Sequence, residues 1–471
     1  MRIILSNVIK IEEPTDEVRK YCIKYLTFKN PEVEKKRRMG FYAYGMPREI
    51  KLYNEYEGNL YVPYGFFSKL WSCYPIPANY FDYTTVKSID VNSHIVLRDY
   101  QQFGLNALKK YHNGLFILPC GMGKTQLGLE CGAYLKQKTL WLCHTKDLAK
   151  QAMDRCVSNI DCKVSMISEG KCDVSGDYVF ATIQTLVNVV NNGEIRQDEF
   201  GLIVGDEIQH LATNPTSMQM YRTCLDYFSA RYKLGLTATC HRADGLEKCI
   251  SLILGDVIYE IKKMQDEYAC VYENKVLLTF PLSKFQVPAR VYLAKTNYDI
   301  SNKDVYAKNG GTIQFTKLIS DIANDVERNN LILDRLHKVE GSTIILSDRV
   351  SQLKYLCSHV ENGVEIDGST PRKVREKALD DVRCGRVKYL FASYQLAKEG
   401  LDCTILSNLV MASPVKDYTV VVQSIGRIMR PYEGKTVANV YDYLDPVGML
   451  YGFYTKRRRH YIKNDWEVID V

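Results

Sequence analysis

Hydrophobic and polar positions change rhythm along this chain. From about residue 95, short aliphatic runs alternate with amphipathic segments. Leu115-Phe116-Ile117-Leu118, Thr139-Leu140-Trp141-Leu142, Tyr178-Val179-Phe180 and Leu202-Ile203-Val204 predict buried strands of a parallel sheet. Asp99 to Tyr111 and a stretch starting near Thr125 predict helices between them, the alternation of a doubly wound α/β sheet. A less regular segment at about 260–325 follows, with a loop at Asn309-Gly310-Gly311. Alternation then resumes. Thr343-Ile344-Ile345-Leu346, Val387-Lys388-Tyr389-Leu390-Phe391 and Leu406-Ser407-Asn408-Leu409-Val410-Met411 predict a second parallel sheet, with helices over Val350 to Val360 and Pro371 to Cys384. Residues 1 to about 90 differ. Phe41, Tyr42, Tyr44, Trp71 and ten further rings crowd residues 41–83, and Pro47, Pro63, Pro75 and Pro77 punctuate them, which predicts a small module of short strands and turns.

Composition narrows the classes. The 471 residues suit two to four domains, and 46% hydrophobic with 25% charged residues excludes global disorder. No run of ~20 apolar residues occurs, which argues against a membrane protein. Met1-Arg2-Ile3-Ile4-Leu5-Ser6 turns polar too soon for a secretory leader. The formal charge of +7 is compatible with a nucleic-acid partner. Fifteen cysteines without a Cys-x-x-Cys pair predict reduced thiols in a cytosolic compartment rather than a zinc site.

Pro119-Cys120-Gly121-Met122-Gly123-Lys124-Thr125 follows a predicted strand and opens a predicted helix. A phosphate chain needs inward backbone N–H donors, a helix N-terminus and a cation. Gly121 and Gly123 permit the tight loop, Lys124 suits the β/γ-phosphates, and the Thr125 hydroxyl suits Mg²⁺. The strict pattern has Gly where this chain has Leu118, and a Gly-rich turn without a ligand has the same local form. Gly205-Asp206-Glu207-Ile208-Gln209-His210 ends a buried strand, where an acid is costly unless it holds a cation or hydrogen bonds. Asp206 suits Mg²⁺, and Glu207 suits a base or positioner for attacking water. In Leu97-Arg98-Asp99-Tyr100-Gln101, the planar amide of Gln101 can pair with an adenine edge, or the segment simply starts a helix.

In this order the residues resemble a superfamily-two helicase. Its further motifs match His144-Thr145-Lys146-Asp147-Leu148 with Gln151, Ala181-Thr182-Ile183-Gln184-Thr185-Leu186, Thr237-Ala238-Thr239 and Leu346-Ser347-Asp348-Arg349. Two more match the stretch from Ser393 to Asp402 and Gln423-Ser424-Ile425-Gly426-Arg427-Ile428-Met429-Arg430. The resemblance covers about 95–450. Through Gly235 to Gly245 the chain is most similar to the XPB/UvsW-like DNA helicases, often phage-encoded. It departs at Arg242-Ala243-Asp244, where XPB has Arg-Glu-Asp, and at Gln209, where the fourth motif position would be His.

The resemblance implies an α/β chain with two tandem RecA-like domains, at 93–262 and 263–450, a DNA-engaging domain at 1–92 and a basic tail at 451–471. It implies ATP and Mg²⁺. Arg98, Gln101, Pro119 to Thr125 (Cys120 and Met122 included), Gly400 and Asp402 would line the nucleotide, with Gln209, Gln423, Arg427 and Arg430 towards the γ-phosphate. Thr145, Thr182, Gln184, Thr185, Arg242, Ser347, Arg349 and Ser393 would touch one DNA strand. Lys36 and Arg37 in Lys35-Lys36-Arg37-Arg38, and Lys456 and Arg457 in Lys456-Arg457-Arg458-Arg459, would meet duplex DNA. The expected protein is a monomeric ATP-dependent DNA translocase of the cytoplasm, bacterial or phage-infected, that remodels forks and Holliday junctions in recombination, replication or repair. Two rivals are an RNA–DNA hybrid unwinder or transcript-release factor, and a DNA-binding scaffold with a silent ATPase. Intact Lys124, Glu207 and Arg430 weigh against the scaffold.

Overall fold

The computed structural model describes residues 1–471 except 76–78, 120, 169, 239–245, 265–266, 302, 306–312, 400–402 and 417. The chain divides into two compact units, Met1–Phe280 and Pro281–Val471.

In the first unit the aliphatic runs form one nine-stranded sheet. Its order is Val164–Ile167, Tyr178–Thr182, Thr139–Cys143, Leu202–Gly205, Tyr232–Thr237, Asn113–Ile117, Val257–Met264, Glu267–Tyr272 and Lys275–Pro281. The first seven strands run parallel, and the eighth pairs antiparallel with the seventh. All five residues of Thr139–Cys143 and all four of Leu202–Gly205 are buried, because helices cover both faces of such a sheet. Short polar side chains start the helices at the strand ends. Thr145 caps Lys146–Asn159, Thr182 caps Ile183–Asn191, and Asn214, with Pro215 in the first turn, caps Pro215–Leu225.

Two expected boundaries shift. Residues 263–280 belong to the first unit, because Glu273 and Asn274 both take positive φ and turn the chain back beside the sheet it has just joined. Residues 1–92 are not a separate module either. Their sheet, ordered Asn54–Tyr56, Asn59–Val62, Ile9–Glu12, Arg2–Leu5 and Tyr80–Asp82, shares a continuous hydrophobic core with the large sheet. Ile3, Ile9, Val62 and Phe66 lie in the same cluster as Leu140, Ile203, Leu225 and Ile253. A side chain at Gly65 would come within 2.2 Å of the Gly255 backbone nitrogen, so the contact needs glycine. Several predicted rings fill this core, Tyr53, Tyr64 and Phe66 among them, whereas Phe41, Tyr42 and Tyr44 stay exposed.

The second unit holds seven parallel strands, ordered Gly363–Ile366, Tyr389–Ser393, Thr343–Ser347, Asn408–Met411, Ala438–Leu444, Ala289–Lys295 and Glu467–Asp470. The last corrects the expected tail. Residues 451–471 continue the helix Gly448–Lys463 and supply an edge strand. The helix buries Leu450, Tyr454, Arg457 and Tyr461, the i, i+4, i+7, i+11 stripe of an amphipathic helix, which the surrounding basic run hides in the sequence. The loop at Asn309-Gly310-Gly311 lies outside the described residues. Among the described residues, no helix is long and apolar enough to cross a membrane.

Candidate nucleotide and nucleic-acid site

The carboxyl ends of three neighbouring strands of the first sheet carry the chemistry: Asn113–Ile117 leads into the glycine loop, Leu202–Gly205 into the acid pair, and Tyr232–Thr237 ends on Thr237. Gly123 takes φ +76, a backbone that disfavours any side chain, and a Cβ there would lie 2.7 Å from the Gln101 amide nitrogen. The helix Lys124–Leu135 follows, and no side chain caps its start. Its first N–H groups therefore face the loop, as a phosphate site requires.

Lys124 Nζ donates to the Leu118 carbonyl at 3.3 Å and lies 3.9 Å from Glu207 Oε1. Thr125 is half-buried one residue on. Asp206 is buried, and its Oδ1 accepts the Glu207 backbone N–H at 3.0 Å. Burial first, and then the Glu207 carboxylate, push the Asp206 acid up to about 7, against a downward pull from Lys124. Lys124, and Arg155 more weakly, oppose this rise without returning Asp206 to its ordinary value, and the hard oxygens of Asp206 and Thr125 fit a magnesium ion. Glu207 itself takes φ +49, an uncommon backbone for its residue type, at the turn that swings its carboxylate beside Lys124.

A relay continues from the acid pair. Gln209 Nε2 donates to Glu207 Oε2 at 2.6 Å, and Gln209 Oε1 accepts the Thr237 hydroxyl at 2.6 Å. One planar amide with both a donor and an acceptor ties the acid to the next strand end. His144 and His210 stack at 4.4 Å between ring centres, 6° from parallel, so the segment after Thr139–Cys143 touches the one after the acid pair.

Gln101 has a different place from the one expected. It is buried, its Oε1 accepts the Arg98 N–H at 2.9 Å in a helix capping box, and its Nε2 donates to Met122 O at 3.3 Å and Gly123 O at 3.2 Å. It props the phosphate loop instead of offering its amide to an adenine edge. The sequence reading missed Tyr100, whose hydroxyl donates to Met122 O at 3.2 Å and accepts from Arg98 Nη1 at 2.8 Å. Its position one residue before Gln101 was the available signal.

Thr145, Thr182 and Ser393 are half-buried caps, accepting from Leu148, Thr185 and Leu396 N–H groups. Gln184 is exposed and Thr185 half-buried. In the second unit two expected DNA contacts are overturned. Ser347 is buried, bonded through Oγ to Gln352 Oε1 at 2.7 Å and accepting from Arg349 N–H at 3.0 Å. Arg457 is only 3% exposed and clamps both oxygens of Asp442 at 2.8 and 2.9 Å, with a third bond to Val415 O. Neither side chain reaches solvent. Arg349 is half-buried and donates to Ser320 Oγ, Thr316 O and Asp348 O, while Lys456 is exposed. Gln423, Arg427 and Arg430 lie half-buried on or just after the helix Tyr418–Ile428. Lys435, also missed, donates to Arg430 O at 2.9 Å and Thr404 O at 2.8 Å, and burial lowers its ammonium to about 8. Cys120, Arg242, Gly400 and Asp402 lie outside the described residues.

Comparison with known proteins agrees with this layout. Residues 94–242 match the family described as type III restriction enzyme, res subunit, and residues 327–432 match the helicase conserved C-terminal domain. A putative ATP-dependent RNA helicase of Acanthamoeba polyphaga mimivirus is 25% identical over 78% of this chain and 67% of its own length. The DNA 3'-5' translocase XPB2 of Sulfurisphaera tokodaii is 25% identical over 72% of this chain and 80% of its own. Among solved structures, S. cerevisiae Dbp5 bound to RNA and ADP BeF3 aligns with a TM-score of 0.56 at 15% identity, covering 79% of this chain and 89% of that one, which speaks to the shared fold.

Proposed function

We propose, for a chain that belongs to the superfamily-two helicases and couples ATP to helicase activity, that its motor translocates on DNA and remodels branched junctions in the cytoplasm. The observation that carries the reading is the unbroken contact from Lys124 through Glu207 and Gln209 to Thr237. Lys124 and the uncapped helix start hold the β/γ-phosphates. Thr125 and Asp206 would hold Mg²⁺, which would supply neutralising positive charge to the phosphates. Glu207 orients the attacking water and draws on its proton, with one carboxylate oxygen fixed by Gln209. Gln209 and Thr237 pass any shift of Glu207 to a neighbouring strand end. By their place in the helicase motif, Arg427 and Arg430 are assigned to the γ-phosphate, and Gln423 with them. An arginine in that role is worth about 10³ or more in rate.

The half-buried Thr145, Thr182, Thr185 and Ser393 and the exposed Gln184 offer short donors to the backbone of one strand, a mode that leaves bases unread. The helix Pro31–Arg38, through Lys36, and the exposed Lys456 supply duplex contacts. The archaeal relative's designation as a DNA translocase supports DNA as the track. The mimivirus relative's designation as an RNA helicase favours a second reading, unwinding of RNA–DNA hybrids. ATPase and unwinding across matched forks, four-way junctions, duplexes, single strands and hybrids test both. Faster unwinding of the hybrid than of every branched DNA overturns the first reading, and absence of nucleic-acid-stimulated hydrolysis overturns both.

A further inference from the structure

The segment between the strands Thr27–Lys29 and Glu49–Lys51 hangs from a two-stranded sheet of its own, separate from the sheet that carries the nucleotide chemistry. It contains the helix Pro31–Arg38 and a loop with the most exposed large rings among the described residues, Tyr42 at 90% and Tyr44 at 96%, with Phe41 at 64%. Rings left this bare give up apolar burial worth ~1.5–3 kcal/mol each. They are nevertheless not on a loose excursion. Buried Asn30 caps the helix through Glu32 N–H, donates from Nδ2 to Pro47 O at 2.9 Å, and takes Arg48 O on its backbone N–H at 2.9 Å. Phe41 N–H returns to Lys36 O at 2.9 Å. The hairpin register Lys29↔Glu49 closes the base. These bonds frame a hollow of about 480 Å³, lined among others by Arg37, Phe41, Tyr42, Tyr44, Met46 and Arg48, within the ~300–1,000 Å³ of small-molecule sites.

The chemistry of the rim identifies the occupant. Residues 29–51 carry seven Lys or Arg against three Glu, and Arg37 and Arg48 stand beside the rings. Flat π-faces with guanidinium groups alongside fit bases whose faces are free and whose backbone is anionic. A base-paired stack offers its phosphates but few free faces. We propose that this hollow receives unpaired bases of single-stranded DNA, stacked on Tyr42, Tyr44 and Phe41, with Arg37 and Arg48 on the adjoining phosphates. The inference rests on the reading of the chain as a DNA motor and gives its N-terminal part a ligand: the strand just released from the duplex.

The full chain is irradiated with a twenty-residue oligothymidylate carrying 5-iododeoxyuridine, and cross-linked peptides are mapped. DNA-stimulated ATPase is measured in the same samples. Cross-links should fall within residues 39–48. Tyr42→Ala with Tyr44→Ala should weaken oligothymidylate binding about tenfold or more at unchanged salt slope, since stacking carries no counterion release. Both rings are exposed, so their truncation leaves the core intact, which the melting curve checks. Arg37→Gln with Arg48→Gln should instead flatten that slope by ~1.4, at ~0.7 for each phosphate on a single strand. Wild-type binding by the ring variant, cross-links confined to residues 93–471, or equal competition by a blunt duplex of the same length overturns the proposal. Cross-links in the hollow without any stimulated ATPase would leave the hollow standing and overturn the motor reading.

Discussion

Asp206→Asn tests the electrostatics of the nucleotide site through stability, where no turnover is needed. The Asp206 acid is raised from 3.8 to about 7 by burial and by Glu207. The native state therefore holds its proton more tightly than the unfolded chain does. The penalty for ionising it begins as pH rises past 3.8, grows up to about 7 and is constant above. At ~1.4 kcal/mol for each tenfold in proton affinity, its ceiling is ~4 kcal/mol. Relaxation around the charge halves this to ~2 kcal/mol, within the usual span of single substitutions. Asparagine keeps the oxygen that accepts the Glu207 N–H and removes the charge. In EDTA at pH 8 the variant should melt ~4–8 °C above wild type, at ~2–4 °C per kcal/mol for a unit of this size. At pH 5 roughly a third of that gain should remain. Magnesium with nucleotide should raise the wild-type melting temperature and leave the variant's nearly unmoved, while hydrolysis by the variant is lost. Scanning calorimetry of both proteins at the two pH values isolates the Asp206–Glu207 pair, because titrating groups away from it cancel in the difference. A variant that melts at or below wild type at pH 8 in EDTA would refute a net penalty for ionising this buried acid.

Glu207→Gln should retain nucleotide binding and stall hydrolysis in a DNA-bound state, read by filter binding beside phosphate release; wild-type turnover would remove Glu207 from its role. Gln209→Ala cuts both bonds of the relay and should lower the DNA-stimulated rate more than the basal rate, so an equal fall in the two would reduce it to a local brace. Arg430→Ala should depress the stimulated rate far more than ATP affinity, as expected of a group acting on the transition state; a matching loss of affinity argues for ground-state binding. Arg457→Ala leaves Asp442 buried without its partner and should cost ~3–5 kcal/mol of stability, visible in urea melts, whereas Lys456→Ala should leave the melt unchanged and reduce the salt slope of duplex binding.

The α/β halves were legible because buried parallel strands leave unbroken aliphatic runs, and all four runs of the first half lie in one sheet. The glycine loop and acid pair were legible because their chemistry is local: each group needs only its strand end. What failed was non-local. Lys456 and Arg457 are neighbours of the same type, yet one is exposed and the other is locked onto Asp442, fifteen positions upstream. Ser347 matches a DNA-contact motif by spacing, but Gln352 and Asn329 draw it into a buried polar network. Gln101 could pair with a base by its chemistry, and only the approach of the phosphate loop shows that both ends of its amide are occupied. The edge hairpin after Val257–Met264 was unreadable because a strand such as Lys275–Pro281, in which Phe280 alone is buried, leaves a weaker pattern than buried parallel ones.

One strand joins the N-terminal residues to the chemistry. Tyr232–Thr237 ends on the hydroxyl that grips Gln209. Four residues earlier it carries Lys233, a buried lysine whose ammonium donates to Asn7 O at 2.9 Å and Leu225 O at 2.7 Å and sits 5.0 Å from the centre of the Tyr64 ring. Burial lowers that ammonium to about 8, a cost the fold accepts in order to tie the turn after Arg2–Leu5 to the central sheet. Asn7 reinforces the tie by donating to Asp226 O at 2.6 Å. Close-packed interiors transmit displacement instead of absorbing it. Lys233 thus bonds the N-terminal sheet to Tyr232–Thr237, and the far end of that strand is bonded to the residue that fixes Glu207. Separate domains on a linker would lack such a path; the shared core is what makes it short.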